Sequence, residues 1–265
     1  SIHDDFVLYH LEGKNRLDIE LNIQLNNEFS SYPTDGPEII TNLRSKNLTE
    51  NIKGDVIQRQ LDFIEAYLGP YPHDYMMINR TTYLKHPVYG FNQLPKRMNP
   101  FSDIFEYDIK MFKALTDHYI ENTILTNKRN DAWLPDGIQI YLMMEYVSKF
   151  YPEVKAIGKI SKKWGIRRYN LAKLDFNEKY PFVVQFSTRK NLDQSLNVRS
   201  DSLSNINLKL VNRYKSGLGL KYLDVYLQGN TLKNSLKSFY EQHAGKFSNG
   251  EQFNEILRSQ VDDRD

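Results

Sequence analysis

Leu115-Thr116-Asp117-His118-Tyr119-Ile120-Glu121-Asn122, followed by Trp133-Leu134-Pro135-Asp136-Gly137, is the stretch on which the reading of this chain turns. Phe105, Ile109, Phe112, Thr116, Tyr119 and Ile120 recur at helical spacing, which predicts a helix from Phe105 to Leu125. A second helix is expected from Pro135 or Asp136 to Phe150, carrying Ile138, Tyr141, Leu142, Glu145 and Val147, with Tyr151-Pro152 as its stop. Asp117 and Glu121 stand one turn apart on the first helix, and Asp136, opening the second, supplies a third carboxylate. An all-oxygen set of this kind suits calcium, magnesium or manganese better than zinc. A plainer reading stands beside it, in which Asp117, His118 and Glu121 form a solvated helix face paired with Lys113 and Lys110.

Outward from this centre, the periodicity changes twice. Toward the amino terminus, Phe6 to Leu11, Leu17 to Leu25 and Ile39-Ile40 read as strands, the middle one by strict alternation of Leu17, Ile19, Leu21, Ile23 and Leu25, with a turn at Asp35-Gly36-Pro37. From Asp55 a helical face of Val56, Ile57, Leu61, Ile64 and Leu68 runs to Gly69-Pro70, and Tyr75 to Ile78 reads as a buried strand. An irregular stretch spans His86 to Phe101. Residues 153 to 206 read as a long connection with one or two short helices, and three helices close the chain: Ile206 to Leu227, Thr231 to Gln242 and Gly250 to Gln260. Ser248 and Glu251 have capping-box spacing ahead of the last. Strands first and helices later argue an α+β arrangement, divided into a β-rich lead-in over residues 1–50 and a larger domain over 51–265.

Composition removes several kinds of function. Lys and Arg number 35 against 33 Asp and Glu, interspersed along the 265 residues, so nothing calls for nucleic acid or an anionic membrane as partner. The absence of cysteine excludes disulfides, thiolate metal sites and cysteine nucleophiles. No apolar run approaches the roughly 20 residues of a membrane span, in keeping with a mean hydropathy of −0.61. No phosphate-binding glycine loop occurs, and Ser216-Gly217-Leu218-Gly219 falls inside a helical pattern. Asn47-Leu48-Thr49 and Asn79-Arg80-Thr81 match the glycosylation pattern, which leaves an extracytoplasmic location open. Without an initiator Met, the chain is expected to be a piece of a longer protein.

The central stretch resembles the M1 (gluzincin) zinc aminopeptidases, whose catalytic helix reads L-x-H-E-x-x-H and whose next helix opens W-L-x-E-G. On that frame Asp117 and Glu121 replace the two histidine ligands, His118 replaces the general-base glutamate, and Asp136 takes the place of the third ligand. Further segments extend the resemblance from about Asp55 onward. Phe63-Ile64-Glu65-Ala66-Tyr67-Leu68-Gly69-Pro70-Tyr71-Pro72 is similar to the family segment in which a helix ends in Y-F-G-x-P-Y-P. Tyr89-Gly90-Phe91-Asn92-Gln93-Leu94 stands where the family has G-x-M-E-N, with Gly90 retained and the amide Gln93 in place of the glutamate that reads a substrate's amino terminus. Tyr214-Lys215-Ser216-Gly217 is similar to Y-E-K-G, whose tyrosine stabilises the oxyanion.

The resemblance implies a thermolysin-like catalytic domain, a mixed sheet packed with helices and mostly helical in its second half. Tyr214 and His118 occupy its catalytic positions, Gly90 and Gln93 its substrate-binding positions, and Asp117, Glu121 and Asp136 its former zinc positions. With the imidazoles gone, no cofactor is expected, and zinc or a hard divalent cation are the metals to test. The function expected is that of an inactive, peptidase-like domain that binds peptide or protein or has a structural part in a larger chain. The alternative is an active metal-dependent aminopeptidase working through carboxylate ligands.

Overall fold

Thr49 starts the helical body: its hydroxyl accepts from the Ile52 amide and caps α1, Glu50–Leu68, several residues ahead of the start expected at Asp55. The computed structural model describes residues 28–91 and 99–262, together with 2–3, 6–7, 10 and 12. The strand expected over Leu17 to Leu25 lies outside the described residues, as does most of the one over Phe6 to Leu11. Two short pieces, β1 (Ile2–His3) and β2 (Phe6–Val7), pair antiparallel. β3 (Ser30–Tyr32) and β4 (Glu38–Thr41) flank the expected turn, and β4 pairs antiparallel with β3 and parallel with β5, Tyr75–Ile78. A parallel pair needs a long crossover, which α1 supplies. It stops where Gly69 takes a φ of 88° and donates its N–H to the Glu65 carbonyl.

Between β5 and the stretch expected to be irregular, the short α2 (Arg80–Lys85) forms because Asn79, itself buried, accepts from the Thr81 amide. The Asn79 sequon is therefore a helix cap in the folded chain. The first central helix, α3, runs Asp103–Glu121 and ends earlier than expected. Its last residues give way to β6, Ile124–Thr126, which pairs in parallel with the distant β7, Lys246–Ser248. The β-branched run Thr123, Ile124 and Thr126 favours this extension over a further helical turn. α4 occupies Trp133–Phe150, close to expectation. The long connection holds single turns and one helix, α5, Lys179–Arg189. A π turn at Asn207–Val211 leads into α6, Asn212–Leu227, followed by α7 (Thr231–His243) and α8 (Gly250–Asp262). The cap of α8 sits one residue later than the expected box: Asn249 and Gln252 exchange side-chain-to-backbone bonds of 2.9 Å.

The core lies between α1, α3 and α4. Phe112 and Tyr146 stack at 4.0 Å, and Phe63 meets Tyr146 edge-on at 5.2 Å. Within this apolar region Asp108 is fully buried, accepting from Tyr146 at 2.8 Å and from Tyr151, Gln60 and Arg59. Four donors compensate the desolvated carboxylate and tie the three helices together.

α4 also crosses α6 at close range. A Cβ on Gly137 would stand 3.1 Å from the Ser216 Cβ, and one on Gly217 would overlap Ile140 and approach the Tyr141 amide nitrogen to 3.3 Å. Gly217→Val should therefore destabilise the chain by about 1–3 kcal/mol, the usual cost of overpacking. Gly219→Ala, in the same helix with open space around its Cβ position, should stabilise by roughly 0.5–1 kcal/mol. Urea unfolding of the pair checks both signs, and equal effects at the two glycines would refute the close crossing.

Candidate functional site

The α4–α6 crossing brings Asp136, next to Gly137, against Arg213, one turn before Gly217. The Arg213 Nε lies 2.9 Å from Asp136 Oδ1, outside hydrogen-bond alignment, and its Nη2 lies 3.9 Å from Asp117 Oδ1. Lys113, one turn before Asp117 on α3, donates to the other Asp117 oxygen. Two carboxylates from α3 and α4 thus face two cations, all four partly or wholly withdrawn from water. Burial pushes the Asp136 carboxyl up, with Arg213 pulling against it. Against the cost of burial, Asp136, Asp117 and Glu121 hold the Arg213 guanidinium above its ordinary value. Burial pushes the Lys113 ammonium down, opposed by Asp117.

Beside this quartet lies a cavity of about 550 Å³, within the size range of small-ligand sites. Its apolar wall includes Val88, Ile140, Met143, Tyr180, Leu210 and Tyr214. Its charged lining consists of Lys85, Lys113, Lys179, Lys209 and Arg213, and no Asp or Glu is among the described residues that line it. Lys179 is the most unusual of these. Its Nζ is enclosed without a hydrogen-bond partner and sits 3.6 Å from the Phe176 ring centroid. Burial holds this amine down to about 7. His86, at the mouth, is held below its ordinary value first by burial and then by the charges of Arg213 and Lys113.

The expected site residues divide. Asp117 and Asp136 come together through Arg213. Glu121 is exposed and pairs with Lys128 at 3.2 Å instead. His118 sits with its ring 6.2 Å from that of Tyr71 and does not line the cavity. Tyr214 does line it, packing edge-on to Tyr180 at 4.7 Å, and burial raises its hydroxyl pKa. Gly90 takes a φ of 101°, a conformation that favours glycine. Gln93 lies outside the described residues. The pairing of Asp117 with Lys113 follows the plainer reading, whereas Lys110 pairs with Glu106. Sequence reasoning missed Arg213, Lys179 and Gln139. Arg213 adjoins the recognised Tyr214, but a lone cation at a helix start carries no spacing signal.

No protein-family model matches the sequence, and no curated protein matches it. Solved structures do. Native yeast LTA4 hydrolase superposes with a TM-score of 0.55 at 14% identity, over 87% of this chain and 36% of that one. The M1 zinc metallopeptidase from Deinococcus radiodurans superposes at 0.51 and 10% identity, over 88% and 48%. The fold is that of M1 metallopeptidases. At these identities the likeness is one of fold alone, and the chain spans less than half the length of either structure. No three His, Cys, Asp or Glu side chains among the described residues gather in a way that could hold a metal. Nor does the donor set fit zinc. It lacks imidazole nitrogen, and the carboxylates at two of the inferred metal positions already face a fixed guanidinium and ammonium that repel a divalent ion.

Two outcomes follow. Arg213→Met should cost about 3 kcal/mol by leaving the withdrawn Asp136 carboxylate without its cation, and adding Asp136→Asn should restore part of that loss in denaturant melts. For Lys179, the unfolded amine titrates near 10.5 and the folded one near 7. Between those values the unfolded chain holds the extra proton, so stability should rise as pH increases from about 7 toward 10 and be lowest below 7. Unfolding midpoints across this range should show the rise in the natural chain and its loss in Lys179→Met.

Proposed function

We propose that this chain is a peptidase-like domain that binds peptide-like ligands in the cavity between α4, α5 and α6 without hydrolysing them. One observation carries the reading: Arg213 stands between Asp136 and Asp117 where the resemblance would put a metal and its ligands. A zinc peptidase needs nitrogen donors and an open position at which water ionises near neutral pH. A guanidinium offers neither a Lewis-acid orbital nor a bound water of lowered pKa. His118 in the general-base position would have no activated water to deprotonate. Tyr214 then serves as a cavity wall with a hydroxyl for hydrogen bonding.

Support for binding comes from the cavity, whose size and mostly apolar wall with a few convergent polar groups are the usual features of a ligand site. Hydrolysis of aminoacyl-amide reporters should stay at background with or without added zinc. Metal analysis of protein purified without added metal should find less than stoichiometric zinc. Chelator-sensitive turnover, or one tightly held zinc lost in the Asp117→Ala, Asp136→Ala double variant, would overturn the proposal in favour of a metal-dependent aminopeptidase.

A further inference from the structure

We propose that the cavity receives the carboxylate end of its ligand, the C-terminal residue of a peptide with an apolar side chain. This inverts the polarity by which an aminopeptidase reads its substrate, and it rests on the binding reading above. Five basic side chains line the cavity and no carboxylate does, among the described residues. An ammonium group entering there would meet only like charge. Lys113 and Arg213 are compensated by Asp117 and Asp136 behind the wall. Lys209, and Lys179 whenever it is protonated, have no carboxylate partner among the described residues, so the cavity carries excess positive charge. Lys179 lines the cavity with its unpartnered Nζ enclosed over the Phe176 ring, a costly placement, and a turn of this flexible side chain toward an entering carboxylate would supply the missing acceptor.

Gln139 adds an independent observation. It is 2% exposed, lines the same cavity, and its Oε1 has no hydrogen-bond partner. Its orientation follows from Thr116, whose hydroxyl lies 2.8 Å and 3.0 Å from the carbonyls of Phe112 and Lys113 and donates to that pair. That hydroxyl can therefore only accept from the Gln139 Nε2 at 3.5 Å, which leaves Oε1 as the free acceptor. A buried acceptor in a cationic cavity suits a ligand with both a carboxylate and a neighbouring N–H, which a peptide C-terminus has and a simple fatty or aryl acid lacks. Ile140, Met143 and Tyr214 offer the apolar surface for its side chain.

Calorimetric titration of the whole chain with N-acetyl-phenylalanine, its C-terminal amide and 3-phenylpropionate tests this. The free carboxylate should bind at least about tenfold more tightly than the amide, the scale of one charge-assisted hydrogen bond. Lys179→Met should remove most of that preference. Gln139→Leu should weaken N-acetyl-phenylalanine and leave 3-phenylpropionate unaffected. Circular dichroism and the unfolding midpoint of each variant separate lost binding from lost fold, and Lys209→Gln at the exposed rim, expected to narrow the preference, gives a second variant if Lys179→Met fails to fold. Equal binding of acid and amide would overturn this inference while leaving peptide binding intact. Binding of 3-phenylpropionate alone would establish a small-acid site and refute the peptide reading. No binding by any of the three would refute both.

Discussion

The close crossing of α4 and α6 is the constraint from which the character of the site follows. Gly137 and Gly217 remove the side chains that would otherwise hold the two helices apart, and Ser216 and Ile140 fill the contact. Because Asp136 adjoins one glycine and Arg213 stands a turn before the other, the same approach that packs the helices sets a carboxylate against a guanidinium. A wider crossing would let water between them and weaken the attraction several-fold. The small residues thus act on the electrostatics through distance alone.

That ion pair shapes what the cleft can hold. Three acids within reach of one another would repel until a cation joined them, and here the protein supplies its own in Arg213 and Lys113. Glu121 turns outward to Lys128 and drops out of the set. With its carboxylates compensated internally, the wall presents positive charge to the cavity, and Lys179 adds an amine held by little more than the face of Phe176. The fold resembles that of the M1 metallopeptidases, and the described side chains lining the cavity carry no carboxylate.

The second structural anchor is independent of the cleft. Asp108 gathers Arg59, Gln60, Tyr146 and Tyr151 from α1, α4 and the residue that ends α4. It lies about two and a half turns before Asp117 on the same helix, α3.

Local patterns settled most of the helices. The apolar faces of α1, α3 and α4 were legible because each repeats at the helical period, and Gly69 and Pro152 mark stops whose physics is local. Boundaries were less so: α3 ends at Glu121 because β6 finds its partner in β7, and that pairing joins residues far apart in the chain. The caps at Asn79 and Asn249 show the same limit, since a sequon and a capping box are both satisfied by several residue choices until the backbone selects one. In the site, Asp117, Asp136 and Tyr214 could be named only from the resemblance to the family's motifs. By itself the sequence determined the helical scaffold and the lack of histidines at ligand spacing, because residue type and period are properties of the chain. Only the tertiary structure decided that Arg213 answers the acids, that Glu121 leaves them, and that Lys179 and Gln139 share a cavity, because charge and hydrogen bonding act through space between residues whose order in the chain carries no sign of their approach.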